Sequence, residues 1–81
     1  MALRILITGG AGFIGSNLAL HLQSAFDDAE IVCMDNLYRR GSELNLPRLH
    51  AAGVQFHHGD IRQPSDFPHS TFDFLIECSA E

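Results

Sequence analysis

Four glycines fall within seven positions of Thr8-Gly9-Gly10-Ala11-Gly12-Phe13-Ile14-Gly15-Ser16-Asn17. The apolar run Leu3-Arg4-Ile5-Leu6-Ile7 precedes them and an amphipathic stretch follows, so a strand runs through a tight turn into a helix. That is the context in which dinucleotides bind. The glycines read in two registers, Gly10-Ala11-Gly12-Phe13-Ile14-Gly15 or Gly9, Gly12 and Gly15 as three spaced positions, and both serve the same physics. One glycine is needed where the backbone turns sharply, one where a Cβ would block a pyrophosphate, and one, here Gly15, where helix and strand pack closely. Phosphates then rest on the free N–H groups and positive dipole end of the new helix. Any tight strand-to-helix turn favours glycine, so the motif needs support from the rest of the chain.

Alternating elements supply it. Leu3 to Thr8 reads as a first strand of the nearly continuous apolar kind buried on both faces of a parallel sheet. Ile14, Leu18, Leu22 and Ala25 recur at helical spacing, with Ser16, Asn17, His21 and Gln23 on other faces, which predicts a helix over 12–26. Ile31-Val32-Cys33-Met34 is a second strand ending at Asp35-Asn36. Leu44, Leu46 and Leu49 suggest a short helix, with Pro47 in its first turn and Gly53 past its end. Val54 to His58 is a third strand, Pro64 to Phe67 one helical turn at most, and Phe72 to Cys78 a fourth strand. Parallel strands joined by right-handed crossovers make this an α/β chain, the amino-terminal part of a doubly wound Rossmann sheet of strand order 3-2-1-4. The crossover from the third strand to the fourth holds so little helix that one sheet face is expected to be nearly bare. With no repeat or linker, residues 1–81 read as one unit. Since a further helix should follow the fourth strand, the chain reads as a fragment of a longer protein.

Composition removes other classes. With 46% hydrophobic residues the chain can build a core. A net charge of −5, with five arginines and no lysine, argues against nucleic acid, whose binding needs a basic stripe. No apolar run approaches the ~20 residues of a membrane span and no signal peptide is evident, so a cytoplasmic location is expected. Cys33 and Cys78 lie in strand-like runs as small buried hydrophobes, and strands flanking a common neighbour hold them too far apart to pair. The five histidines share no metal-ligand spacing, so no metal is expected.

Asp35 follows Gly15 by twenty residues, at the carboxyl end of the second strand, where such folds present an acid to the adenosine ribose. A carboxylate there accepts from both hydroxyls and repels a 2′-phosphate, favouring NAD over NADP. Arg39 and Arg40 argue the other way, because a nearby guanidinium would hold that phosphate; as loop residues they also read as solvated charges. Asp60, at the third strand's end, faces the adenine amino group with Ile61 packing on the ring, although Gly-Asp is also ordinary turn chemistry. Cys78-Ser79-Ala80 closes the fourth strand beyond the switch point, where small residues leave room for ribose and pyrophosphate. Glu77 reads either as a satisfied polar group at the strand end or as a residue toward a substrate.

The glycine turn, Asp35-Asn36-Leu37 and His58-Gly59-Asp60-Ile61-Arg62 together resemble the extended short-chain dehydrogenase/reductases, over essentially the whole chain. Asp35-Asn36-Leu37-Tyr38-Arg39-Arg40-Gly41 followed by Asn45-Leu46 and Leu49 is most similar to the branch of CDP-paratose (CDP-tyvelose) 2-epimerases and related sugar-nucleotide epimerases. The resemblance implies that Gly9, Gly12, Phe13 and Ile14 meet the pyrophosphate of NAD, Asp35 and Asn36 its adenosine, Asp60 and Ile61 its adenine, and Cys78, Ser79 and Ala80 its middle. It implies an enzyme acting on a nucleotide sugar by transient hydride transfer, homo-oligomeric at full length. The family's catalytic tyrosine and lysine form a Tyr-X-X-X-Lys pattern; here Tyr38 is the sole tyrosine and lysine is absent, so no catalytic residue carries over. The 81 residues alone are expected to be inactive and to bind NAD poorly. Glu77 stands where many relatives carry a histidine. A non-catalytic dinucleotide module and a reductase of the same family remain alternatives.

Overall fold

The computed structural model describes residues 3–79. Four strands, β1 (Arg4–Thr8), β2 (Glu30–Asp35), β3 (Gln55–His58) and β4 (Phe74–Glu77), form one sheet. Its order is β3-β2-β1-β4 with every pair parallel, as the strand-helix alternation requires. Helix α1 (Phe13–Ala25) joins β1 to β2. A 3-10 turn (Ser42–Asn45) running into α2 (Leu46–Ala51) joins β2 to β3. The link from β3 to β4 contains one 3-10 turn, Pro64–Asp66. Gly53, just past α2, takes the left-handed conformation (φ +82°) of a helix-ending glycine.

Alternation along the strands sends Ile5, Ile7, Ile31 and Cys33 to one face, where they pack with Ala19, Leu49 and Val54 from the helical side. Ile7, Ile31 and Leu49 are among the most fully buried side chains, each contributing about 1.5–3 kcal/mol of transfer free energy. Leu6, Val32 and Met34 occupy the other face.

That second face is not bare. Phe67 and Phe72, from the largely irregular β3–β4 link, cover Leu6, Val32 and Met34, which are all buried. Two aromatic rings cover a face that was expected to be nearly bare for want of a crossover helix. On β4, Leu75 continues the Leu6 face and is exposed, while Phe74, in register with Ile5, is exposed on the opposite, helical face. Strand β4 is also shorter than the apolar run, because Asp73 accepts a hydrogen bond from Arg4 N–H at 2.8 Å and Phe72 turns back beneath the sheet.

Helix α1 follows its apolar stripe in part, since Leu18 and Leu22 pack half-buried against the core while Ile14 and Ala25 do not. Its buried residues are the small Gly15, Ser16 and Ala19, while Ile14 is 70% exposed. A Cβ on Gly15 would lie 2.3 Å from the Gly9 carbonyl oxygen, so the start of the helix sits directly against the turn. Close approach therefore selects small residues, and the Ser16 hydroxyl is satisfied by the Phe13 carbonyl at 3.3 Å. Cys33 and Cys78 are both free thiols, as the strand order requires.

Candidate functional site

The site lies at the carboxyl ends of the strands, where β1 and β2 leave the sheet. Gly9 and Gly10 N–H both donate to the Met34 carbonyl, at 2.8 and 3.2 Å, stitching the turn to β2. Gly9 needs its left-handed φ of +71°, and a Cβ on it would strike the Cys78–Ser79 backbone at 2.6 Å. A Cβ on Gly10 would overlap the Cys33 side chain. Gly12 differs: its backbone is extended, and an added Cβ would touch only the Gly9 carbonyl oxygen, at 3.3 Å. Of the four glycines, it alone would take a Cβ with no atom nearer than 3.3 Å. No side chain caps α1 and no acid occupies its first turn, so the helix start offers free N–H groups and positive potential.

Around this turn, Gly9, Gly12, Phe13, Ile14, Asp35, Asn36, Arg39, Cys78 and Ser79 line one crevice, joined by Tyr38 and Ser42. An adjoining crevice shares Gly9, Asp35, Asn36, Tyr38 and Ser79 and adds Gly59, Asp60, Ile61 and Arg62. Gly15 lies beneath the turn as a packing residue, and Ala80 lies outside the described residues. Tyr38 and Ser42 had no sequence signal of their own.

Asp35 does more than face the crevice. Its carboxylate accepts from Ala11 N–H at 3.0 Å and from Leu37 N–H at 2.8 Å, tying the glycine turn to the end of β2. An ionised carboxylate has about four acceptor positions, so capacity remains for hydroxyl groups. Leu37 is the one described non-glycine residue at positive φ (57°). Its N–H bond to Asp35, and Tyr38 N–H to Asn36 Oδ1 at 3.0 Å, are successive side-chain turns that hold this backbone. They present the Tyr38 ring, 85% exposed, at the rim. Arg39 also lines the rim and makes no ion pair among the described residues.

Asp60 is paired within its own loop. Arg62 engages both carboxylate oxygens, the shortest contact being 2.7 Å. That guanidinium, then the Arg62 backbone N–H and the Asn36 side chain, hold the Asp60 carboxyl well below the usual carboxylate range. The loop is shaped by Asp66, which accepts from Asp60 N–H at 3.0 Å and whose carbonyl bonds His57 Nε2 at 2.5 Å.

Glu77 is satisfied locally. It accepts from Thr8 Oγ1 at 2.8 Å, from Ser79 N–H at 2.6 Å and from the Ser79 hydroxyl. Hydrogen bonds from Ser79, and then from Thr8, lower its pKa. Burial, followed by the charges of Asp35 and Cys78, pushes the Cys33 thiol up to about 12. Among the described residues no cluster of metal-ligating side chains occurs, and no helix is long and apolar enough to cross a membrane.

A parallel sheet of order 3-2-1-4, with a glycine turn leading into a helix and an acid ending the second strand, places the chain in the Rossmann class of α/β folds. The sequence profile of the NAD dependent epimerase/dehydratase family matches residues 5–80, and the chain belongs to that family. It is 45% identical over 65 residues to CDP-paratose 2-epimerase of Salmonella typhi, covering 79% of this chain and 19% of that protein. It is 40% identical over 72 residues to UDP-glucose 4-epimerase of Streptomyces lividans, covering 89% and 20%. The crystal structure of Helicobacter pylori ADP-L-glycero-D-manno-heptose-6-epimerase superposes with a TM-score of 0.78 at 36% identity, covering 94% of this chain and 26% of that one. The chain thus spans about a fifth to a quarter of the length of these relatives.

Proposed function

We propose that residues 1–81 are the NAD-binding part of a sugar-nucleotide epimerase or dehydratase. The observation that carries this reading is Gly12, which lines the crevice and is the one glycine of the turn where an added Cβ would meet a single backbone atom, the Gly9 carbonyl oxygen at 3.3 Å, without overlapping packed protein. Beside it the uncapped start of α1 suits an anion. In this reading Gly9, Gly12, Phe13 and Ile14 receive the pyrophosphate, Asp35 and Asn36 the adenosine ribose, and Asp60 and Ile61 the adenine. Cys78, Ser79 and Ala80 border the middle of the cofactor. Bound there, NAD would supply reversible hydride transfer at a sugar carbon, the chemistry an epimerase or dehydratase of this kind needs. Residues of this chain bind and orient; none is assigned to acid–base chemistry.

Asp35 sets the preference for NAD, since its carboxylate stands where a 2′-phosphate would be repelled. The relatives named for CDP-, UDP- and ADP-linked sugars support a nucleotide sugar as substrate. The complete protein would act in the cytoplasm as a homo-oligomer. Calorimetric titration of the complete gene product with NAD and NADP tests the reading. Tighter binding of NAD is expected; equal affinities would refute the role of Asp35, and binding of neither would refute the site.

A further inference from the structure

Ala11 is fully buried in the glycine turn, and side chains from two distant segments hold it on both sides. Asp35 accepts from its N–H, and Asn45 Nδ2 donates to its carbonyl at 2.6 Å. Asn45 stands at the junction between the 3-10 turn and α2, where an asparagine ordinarily caps the following helix. It makes no such cap; its backbone is helical and its side chain spans 34 residues of sequence to reach Ala11. Arg48, one turn along α2, donates to Asn45 Oδ1 at 3.0 Å and to the Ser16 hydroxyl at 3.4 Å.

An amide offers an acceptor on one side and donors on the other. With a guanidinium at its oxygen and a carbonyl at its nitrogen, only one of the two Asn45 orientations satisfies both neighbours. Arg48 also brings positive charge to the first turn of α1, which already has the positive end of the helix dipole. A cation there is unfavourable unless an anion is received nearby.

The geometry points to Asn45 as a positioning residue for the cofactor turn, with Arg48 orienting its amide. By holding the Ala11 carbonyl, Asn45 keeps Gly12 and the start of α1 in the shape that receives a pyrophosphate. This rests on the dinucleotide reading above.

Asn45→Asp is the sharpest test. The variant keeps the side-chain shape and the Arg48 partner, yet sets a carboxylate oxygen against the Ala11 carbonyl. In the complete gene product, the Kd for NADH, read from fluorescence of the bound nicotinamide, should rise about tenfold or more, the scale of a lost buried hydrogen bond. Asn45→Ala, which removes the donor without repulsion, should raise it about threefold to tenfold. It decides the matter alone if Asn45→Asp does not fold. Reactivation of cofactor-stripped protein should need correspondingly more NAD while its plateau activity stays within about twofold.

Wild-type affinity in Asn45→Ala, or a fallen plateau with unchanged half-saturation, would overturn the role of Asn45. Wild-type protein that binds no NADH, or Gly12→Val protein that binds it normally, would instead overturn the dinucleotide reading.

Discussion

Replacing Gly12 with valine puts an isopropyl group into the space assigned to the pyrophosphate, and the cost to folding and the cost to binding can be estimated separately. For folding, Gly12 has φ −73° and ψ 176°, extended backbone that any residue adopts, and the nearest atom to an added Cβ is the Gly9 carbonyl oxygen at 3.3 Å. Valine is a poorer helix cap than glycine, a loss partly offset by about 0.4–1 kcal/mol from a less flexible unfolded chain. A net change of about 1 kcal/mol would move Tm by about 4–8 °C in a domain of this size. For binding, the side chain holds phosphate away from the helix start. Losing two charge-assisted hydrogen bonds at about 1.5–3 kcal/mol each raises Kd by about two to four powers of ten. Gly15→Ala provides the contrast, because its Cβ would lie 2.3 Å from the Gly9 oxygen and 2.9 Å from Gly10 Cα, both backbone atoms. There overpacking should cost about 1–3 kcal/mol or more and lower Tm by about 10 °C. Calorimetric titration with NAD and thermal melts on both variants make the comparison. A Gly12→Val protein that binds NAD normally, or that melts as early as Gly15→Ala, would refute the division of roles among the glycines.

Asp35→Ala should weaken NAD binding by about 1–3 kcal/mol and narrow the preference over NADP, since it removes both the acceptor and the repelling charge; unchanged titration curves with both nucleotides would contradict this. Cys33, buried and with its thiol pushed up to about 12, should resist iodoacetamide at about pH 8 in the native protein while half-buried Cys78 reacts; mass spectrometry showing Cys33 labelled as fast as Cys78 would count against the packing. The Glu77 carboxyl lies below its ordinary value of 4.5 in the folded state, so its stabilising contribution is complete above that pH and is lost as pH falls through the lowered value. Glu77→Gln should therefore flatten the acid limb of stability below about pH 4.5, and an equally steep limb in acid-unfolding curves would argue against the Thr8–Glu77–Ser79 bonds.

Local rules account for much of this molecule. The periods of Leu3 to Thr8 and Ile31 to Met34, the glycines between strand and helix, and Pro47 and Gly53 around α2 were legible because each element depends on neighbours a few residues away. For parallel alternation 3-2-1-4 is the simplest order, and the carboxyl ends of the strands bring Gly12, Asp35, Asp60 and Ser79 to one edge. Other features depended on packing between distant segments. Phe67 and Phe72 cover a face that the sequence leads one to expect nearly bare, since aromatic rings in an irregular link have no periodicity to betray their direction. Ile14 fits a helical stripe in sequence but faces solvent, because backbone contact between Gly15 and Gly9 sets the orientation of α1. Asn45 carries the local signature of a helix cap, and only the folded chain brings the Ala11 carbonyl to it, 34 residues away. Sequence alone determined the elements, their order and the sheet edge where Gly12, Asp35, Asp60 and Ser79 meet, because those follow from short-range periodicity and chirality. Tertiary structure decided which side chains hold the binding turn, because a hydrogen bond between distant residues has no pattern until the chain has closed.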